Sequence, residues 1–157
     1  LLEYSLLIVS DEKYNQVHDQ SNMNAIKARL HNQAYVNLQK KTVLPDFRII
    51  DQFTPEPQYY RYLSREKAVV RGIHFETKAE NKYPAVGAAS IIARYAFLRS
   101  MDAMEKTYGM SFHKGAGSQT DLDAGTFVQR YGFAKLSKVA KLHFKNTERL
   151  RPENTKE

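Results

Sequence analysis

Three carboxylates, Asp51, Glu76 and Glu80, occupy positions from which an acid could hold a cation or act on a substrate. Glu76 and Glu80 lie in the stretch 75–94, FETKAENKYPAVGAASIIAR, where a polar segment runs through Lys82 and Pro84 into the small-residue run 85–90. That run opens a helical pattern. The unpaired N–H groups of a helix start, with the positive end of its dipole, favour an anion close by. Asp51 belongs to a segment in which Phe47, Ile49, Asp51 and Phe53 alternate with Arg48, Ile50 and Gln52, the period of a strand. A carboxylate on the face that carries large apolar side chains has to be paired, bound to a metal ion or sited at the strand's end facing a cleft. Plainer readings stand beside these, with Asp51 as a turn former before Thr54-Pro55 and Glu76 and Glu80 as ordinary acids at a helix N-terminus.

Lys82, Ser90, Arg94 and Lys114 have the chemistry to contact a phosphate or a sugar. Ser90 and Arg94 are four apart and share a helix face. Lys114 sits in HKGAG at 113–117, where glycine lets backbone N–H groups come near an oxygen. Each of the four equally suits a solvated surface. His113 and His143 belong to no paired-histidine motif and make no case for zinc.

The elements that must position these groups can be read from periodicity. Residues 4–9 form a short apolar run bounded by Ser10, Asp11 and Glu12, which predicts a strand buried on both faces. Asn22 or Ser21 caps a helix whose stripe is Met23, Ile26, Leu30, Ala34 and Leu38, ending near Lys40 and Lys41. Asn24, Lys27 and His31 fall on another side of it. The strand with Asp51 leads into TPEPQYYRYLSRE, a loop with a short helix, and 68–73 predicts a further strand that delivers the chain to Glu76 and Glu80. A long helix from Pro84 to Gly109 is apolar almost all round up to Leu98, which predicts a buried first half. After a loop at 111–120, Asp121 caps a helix ending at Gly132, a last helical segment carries Leu136, Val139, Leu142 and Phe144, and the polar tail from Arg151 is expected to fray. Strands alternating with helices argue for an α/β layer structure.

Composition narrows the partners. Lys plus Arg number 24 against 17 Asp plus Glu, a net charge of +7 that suits a polyanion. The absence of cysteine excludes disulfides, thiolate nucleophiles and Cys-ligated zinc, and fits a reducing cytoplasm. With no tryptophan there is no sugar platform, which argues against a glycosidase. No apolar run reaches membrane-spanning length, and the opening LLEYSLLIV lacks the pattern of a signal peptide. The first residue is Leu, so a longer natural chain is expected.

FETKAENKYPAVGAASIIARYAFL, together with NMNAIKARLHNQA at 22–34, IIDQFTP at 49–55, HKGAG and AKLHFKNTE at 140–148, resembles ribonuclease HIII of the type 2 ribonucleases H, in the family's order and over nearly the whole chain. Gly87 stands where Ala is usual, and the family's opening Asp-Glu pair with its glycine turn has no match. The resemblance therefore implies an α/β, ribonuclease H-like fold with a central sheet flanked by helices, residues 1–157 being a partial catalytic domain that lacks its first strands and the separate N-terminal substrate-binding domain. It implies hydrolysis of the RNA strand of RNA–DNA hybrids by two divalent cations, Mg2+ or Mn2+, about 4 Å apart. Carried over residue by residue, Asp51 and Glu80 match two of the family's metal-binding acids, and Asn24 matches a nucleic-acid contact. Glu in place of Asp at position 80 favours the HIII branch, and Glu76 matches none of the family's acids. The other expectation, for this chain by itself, is a non-catalytic nucleic-acid-binding piece that pairs with the missing N-terminal half.

Overall fold

A computed structural model describes residues 2–151, within which the elements are α1 (Asp11–His18), α2 (Met23–Gln39), β1 (Arg48–Asp51), α3 (Glu56–Tyr62), β2 (Ile73–Glu76), α4 (Pro84–Tyr108), α5 (Ser118–Tyr131) and α6 (Lys145–Glu148). The chain divides into two compact units, Leu1–Ile8 with Ser21–Ala96 and Val9–Gln20 with Phe97–Glu157.

In the first unit β1 and β2 pair in parallel, with Ile50 opposite Phe75 and Asp51 opposite Glu76. A parallel pair needs a crossover, and α3 lies within it. Alternation sends Ile50 and Phe75 to one face of the sheet and Ile49, Asp51, His74 and Glu76 to the other. The first face is the buried one. Ile50, Tyr59, Leu63, Val70 and Ile73 pack there with Ala28 of α2, and Tyr59 meets Phe75 edge to face at 5.1 Å. Asp51 thus shares its face with Phe47 and Ile49 as the alternation predicts, but that face is the open one, where Phe47 is 56% exposed.

Helix α2 starts as expected, with Asn22 Oδ1 accepting from the Ala25 N–H at 2.9 Å. Its deepest positions are Ala25, Ile26, Ala28 and Asn32, and of the expected stripe only Ile26 is fully buried. Two of its polar side chains take over backbone bonding beside the sheet. Tyr35 donates its hydroxyl hydrogen to the Ile49 carbonyl at 2.7 Å and accepts from the Ile49 N–H at 3.2 Å. Asn32 accepts from the Val70 N–H at 2.9 Å and donates to the Ala68 carbonyl at 2.8 Å. This is why the strand expected over 68–73 begins only at Ile73: the segment before it bonds to a side chain instead of a strand. Asn32→Ala leaves the buried Val70 amide without its acceptor, so a loss of about 1–3 kcal/mol is expected in urea unfolding. Gln33→Ala, on the exposed side of the same helix, should move the midpoint by less than about 0.5 kcal/mol.

Two further sequence expectations fail. Residues 4–9 are not a strand: no strand among the described residues pairs with them, and Leu2, Tyr4, Leu6 and Ile8 are exposed. Lys41 donates to the Tyr4 carbonyl at 2.9 Å. The first half of α4 is not buried either, with Ile91 72% and Tyr95 65% exposed, because the described elements of the unit cover little of it. Gly87, where Ala is usual, is not required by space, since a Cβ there would sit 3.5 Å from the Glu80 carbonyl oxygen, an ordinary contact.

The second unit is built on helices. Phe112, Phe127 and Leu136 form its core, with Met101, Met104 and Tyr108 of α4 against them. Helix α1 was hidden in the sequence because Ser10, Asp11 and Glu12 read as a strand's end. They are instead an N-cap and an acidic first turn, Ser10 Oγ accepting from the Lys13 N–H at 3.2 Å. Asn15 of α1 donates to the Ser137 and Ala140 carbonyls at 3.0 and 2.9 Å and accepts from the Leu142 N–H at 2.9 Å. The N-cap position of α5 falls on Gly117, not Asp121, which lies in the first turn. The final helical segment is two short pieces, a 3-10 stretch Phe133–Lys138 and α6, and Thr147, 4% exposed, bonds back to the Leu142 and Phe144 carbonyls at 3.0 and 2.7 Å. Of the tail expected to fray, residues 152–157 lie outside the described residues.

Candidate functional site

The C-terminal ends of the two parallel strands carry Asp51 and Glu76 side by side in register. A turn then brings the third acid back. Lys78 adopts a left-handed backbone, φ 56° and ψ 37°, and leads into a 3-10 turn over Ala79–Asn81 that includes Glu80. Ala79 is fully buried and donates its N–H to Asp51 Oδ1 at 3.0 Å. The carboxylate of β1 is thereby fixed to the residue immediately before Glu80, one Cα step of about 3.8 Å away. Asp51 and Glu80 are both exposed.

Glu76 is engaged differently. Lys82 Nζ donates to its Oε1, Tyr83 donates its hydroxyl to Oε2 at 2.7 Å, and His74 Nε2 lies 3.1 Å from Oε2. Hydrogen bonds from Lys82, then Tyr83 and His74, hold the Glu76 carboxyl down at about 2, from an ordinary 4.5. Because the folded value is depressed, this anchoring is complete above about pH 4.5 and is lost as pH falls through about 2. An NMR titration of the Glu76 carboxyl should therefore show its midpoint well below the ordinary range. In Lys82→Gln it should move back up toward 4.5.

The nucleic-acid candidates distribute over both units. Asn24 lies half-buried in the first turn of α2, on the helix face that continues through Lys27 and His31. Lys27 sits over the Phe53 ring at 5.5 Å and His31 packs 5.2 Å from it, so this face borders the end of β1. Burial first, then Lys27, lowers the His31 pKa, while the charge of Asp51 opposes the shift. Ser90 and Arg94 are exposed on α4. Lys82 has its ammonium on Glu76. Lys114 is exposed in the second unit, and its neighbour His113 is held by Asp123, whose Oδ2 accepts from the His113 N–H at 2.6 Å and lies 2.8 Å from the ring Nδ1. Lys78 escaped sequence reasoning. Its signal lay in plain view as the cation two residues before Glu80, but only the backbone angle singles it out.

Asp51 and Glu80 offer water-exposed oxygen donors, the ligand type a hard divalent cation takes while keeping several waters. Asp51 Oδ1 is used by Ala79, and no described residue bonds to the Glu80 carboxylate. Two such acids fit part of a coordination sphere. Among the described residues no cluster of three or more His, Cys, Asp or Glu side chains could hold a metal ion.

The chain is 43% identical over 153 residues to ribonuclease HIII of Bacillus cereus, an overlap that takes in 95% of this chain and 49% of that protein. Ribonuclease HIII of Bacillus mycoides is 42% identical over 153 residues with the same shares. The chain spans about half the length of the curated relatives it matches. Among solved structures, Bst-RNase HIII in complex with Mn2+ superposes with a TM-score of 0.90 at 34% identity, over 96% of this chain and 50% of that one. The ribonuclease HII of a PCNA complex from Archaeoglobus fulgidus gives 0.63 at 22% identity over 88% and 68%, a likeness of fold. These superpositions establish the α/β, ribonuclease H-like fold. The family profile described as Ribonuclease HII matches residues 2–147, and the chain belongs to that family.

Proposed function

We propose that the longer protein to which this chain corresponds is a metal-dependent endonuclease that cuts the RNA strand of RNA–DNA hybrids, leaving a 3′-hydroxyl and a 5′-phosphate. The observation that carries this reading is the bond from the Ala79 N–H to Asp51, which joins the acid at the end of β1 to the turn presenting Glu80. Asp51 and Glu80 are the catalytic acids and would hold Mg2+ or Mn2+, the second being the ion bound by the Bst-RNase HIII relative. Divalent cations, when bound, supply water activation and stabilisation of the leaving oxygen. Asp51 orients the turn, and Glu80 completes the pair of oxygen donors. Asn24, Ser90, Arg94 and Lys114 are assigned to the nucleic-acid backbone, in keeping with the +7 charge. Discrimination of RNA rests on the 2′-hydroxyl and duplex shape.

By itself the chain is better read as a non-catalytic nucleic-acid-binding piece, because no three-acid cluster exists among its described residues. The exposed Ile91 and Tyr95 on α4 and the exposed Phe47 are surfaces for the remaining N-terminal half to cover. The lack of cysteine supports a cytoplasmic setting, and among the described residues no helix is long and apolar enough to cross a membrane. The test of the reading is Mg2+- or Mn2+-dependent cutting of a labelled hybrid by the longer protein, with duplex DNA as the control and Asp51→Asn beside it. Metal-independent cutting, or none, overturns it.

A further inference from the structure

The turn between β2 and α4 carries two lysines in different states. Lys82 is engaged by Glu76, which neutralises it. Lys78, four residues earlier, is exposed, and among the described residues nothing pairs with its ammonium. Lys78 is also the non-glycine residue with a positive φ among the described residues, at 56°. A left-handed backbone costs a residue with a Cβ about 1–2 kcal/mol, which glycine avoids. The bend itself has an evident purpose, since it aims the Ala79 N–H at Asp51 Oδ1. The side chain does not share in that purpose, because glycine or asparagine makes the same bend at lower cost. A long cation in a sparsely populated backbone conformation, directly before an acid-bearing turn, points to a role for its side chain. Its neighbours Asp51 and Glu80 repel a phosphodiester, and a free ammonium on the same turn offsets that repulsion.

We propose that Lys78, and not Lys82, is the lysine of this turn that contacts the phosphate backbone of the nucleic acid beside Asp51 and Glu80, with Lys82 acting as a strut to Glu76. The proposal deepens the hydrolase reading and rests on it.

The test uses the 157-residue chain and a fluorescently labelled RNA–DNA hybrid, with anisotropy followed over a KCl series in EDTA. Each phosphate contact adds about 0.7–0.9 to the slope of log K against log salt. Lys78→Gln and Lys78→Gly should each lower the slope by about that amount and weaken low-salt binding by about fivefold or more, while Lys78→Arg keeps the parent slope. Lys67→Gln, an exposed cation elsewhere in the same unit, controls for bulk charge and should leave the slope in place. Lys78→Gly should unfold at a temperature no lower than the parent, because it relieves the backbone, so its lost affinity cannot be a loss of fold. Parent-like slopes in both Lys78→Gln and Lys78→Gly, or the same drop in Lys82→Gln with Lys78 variants unmoved, overturn the assignment while the hydrolase reading stands. Failure of the parent chain to bind the hybrid at low salt also overturns the assignment, whereas the hydrolase reading falls only if the longer protein does not cut the hybrid.

Discussion

Asp51→Asn in the longer protein is expected to lower metal-dependent cutting of a hybrid by more than about a hundredfold while changing hybrid affinity by less than about threefold. Removing even an outer-shell partner of a metal costs about 10–100-fold, and a direct ligand costs more. Asn keeps the shape and keeps an acceptor for the Ala79 N–H, so the turn retains its anchor while the charge goes. A loss confined to turnover marks an interaction used in the reaction and not in ground-state binding. The substitution also has a reporter independent of catalysis. Asp51 raises the His31 pKa against burial and Lys27, so in the variant the His31 imidazole should titrate lower still. Equal loss of binding and cutting, with the His31 imidazole moving up as its burial is lost, would make Asp51 a folding residue and remove it from the site.

The 157-residue chain alone should cut no hybrid even in ample Mg2+ or Mn2+, and adding a separately produced N-terminal half should restore metal-dependent cutting from background. Asp51 and Glu80 form at most part of a coordination sphere, with no three-ligand cluster among the described residues. Two cations about 4 Å apart cannot be held by so few donors in the geometry that in-line displacement requires. The assay pairs the chain with its own Asp51→Asn variant, which exposes a contaminating nuclease. Robust cutting by the chain that disappears in the variant would overturn the prediction and turn attention to Glu76, which lies in register beside Asp51.

Sequence reading reached the pieces with strong local signals. The cap at Asn22, the strand at Asp51 and the long helix from Pro84 lie where side-chain period and capping put them. The failures have physical causes. The run at 4–9 has the composition of a buried strand, but strands exist only in pairs, and pairing is not written in one segment's residues. The apolar first half of α4 implies burial, yet burial depends on what covers it. Ser10-Asp11-Glu12 carried a cap that was masked by the apolar run before it. At the site, the proximity of Asp51 to the Glu80 turn came from matching the order of motifs, because no spacing rule links acids on separate elements. The engagement of Lys82 by Glu76 and the left-handed Lys78 depend on side-chain and backbone angles that leave no trace in periodicity.

The hydroxyl of Tyr35 occupies both backbone groups of Ile49, on the side of β1 away from β2. An open strand edge is ordinarily a template on which further chains stack, and here one phenol blocks the template at its middle. Growth along that edge becomes an exchange reaction: an arriving strand must evict the phenol before it gains its own two bonds, so the net gain is small for a chance partner. Only a strand that brings many further contacts makes the exchange worthwhile, which turns a sticky edge into a selective one.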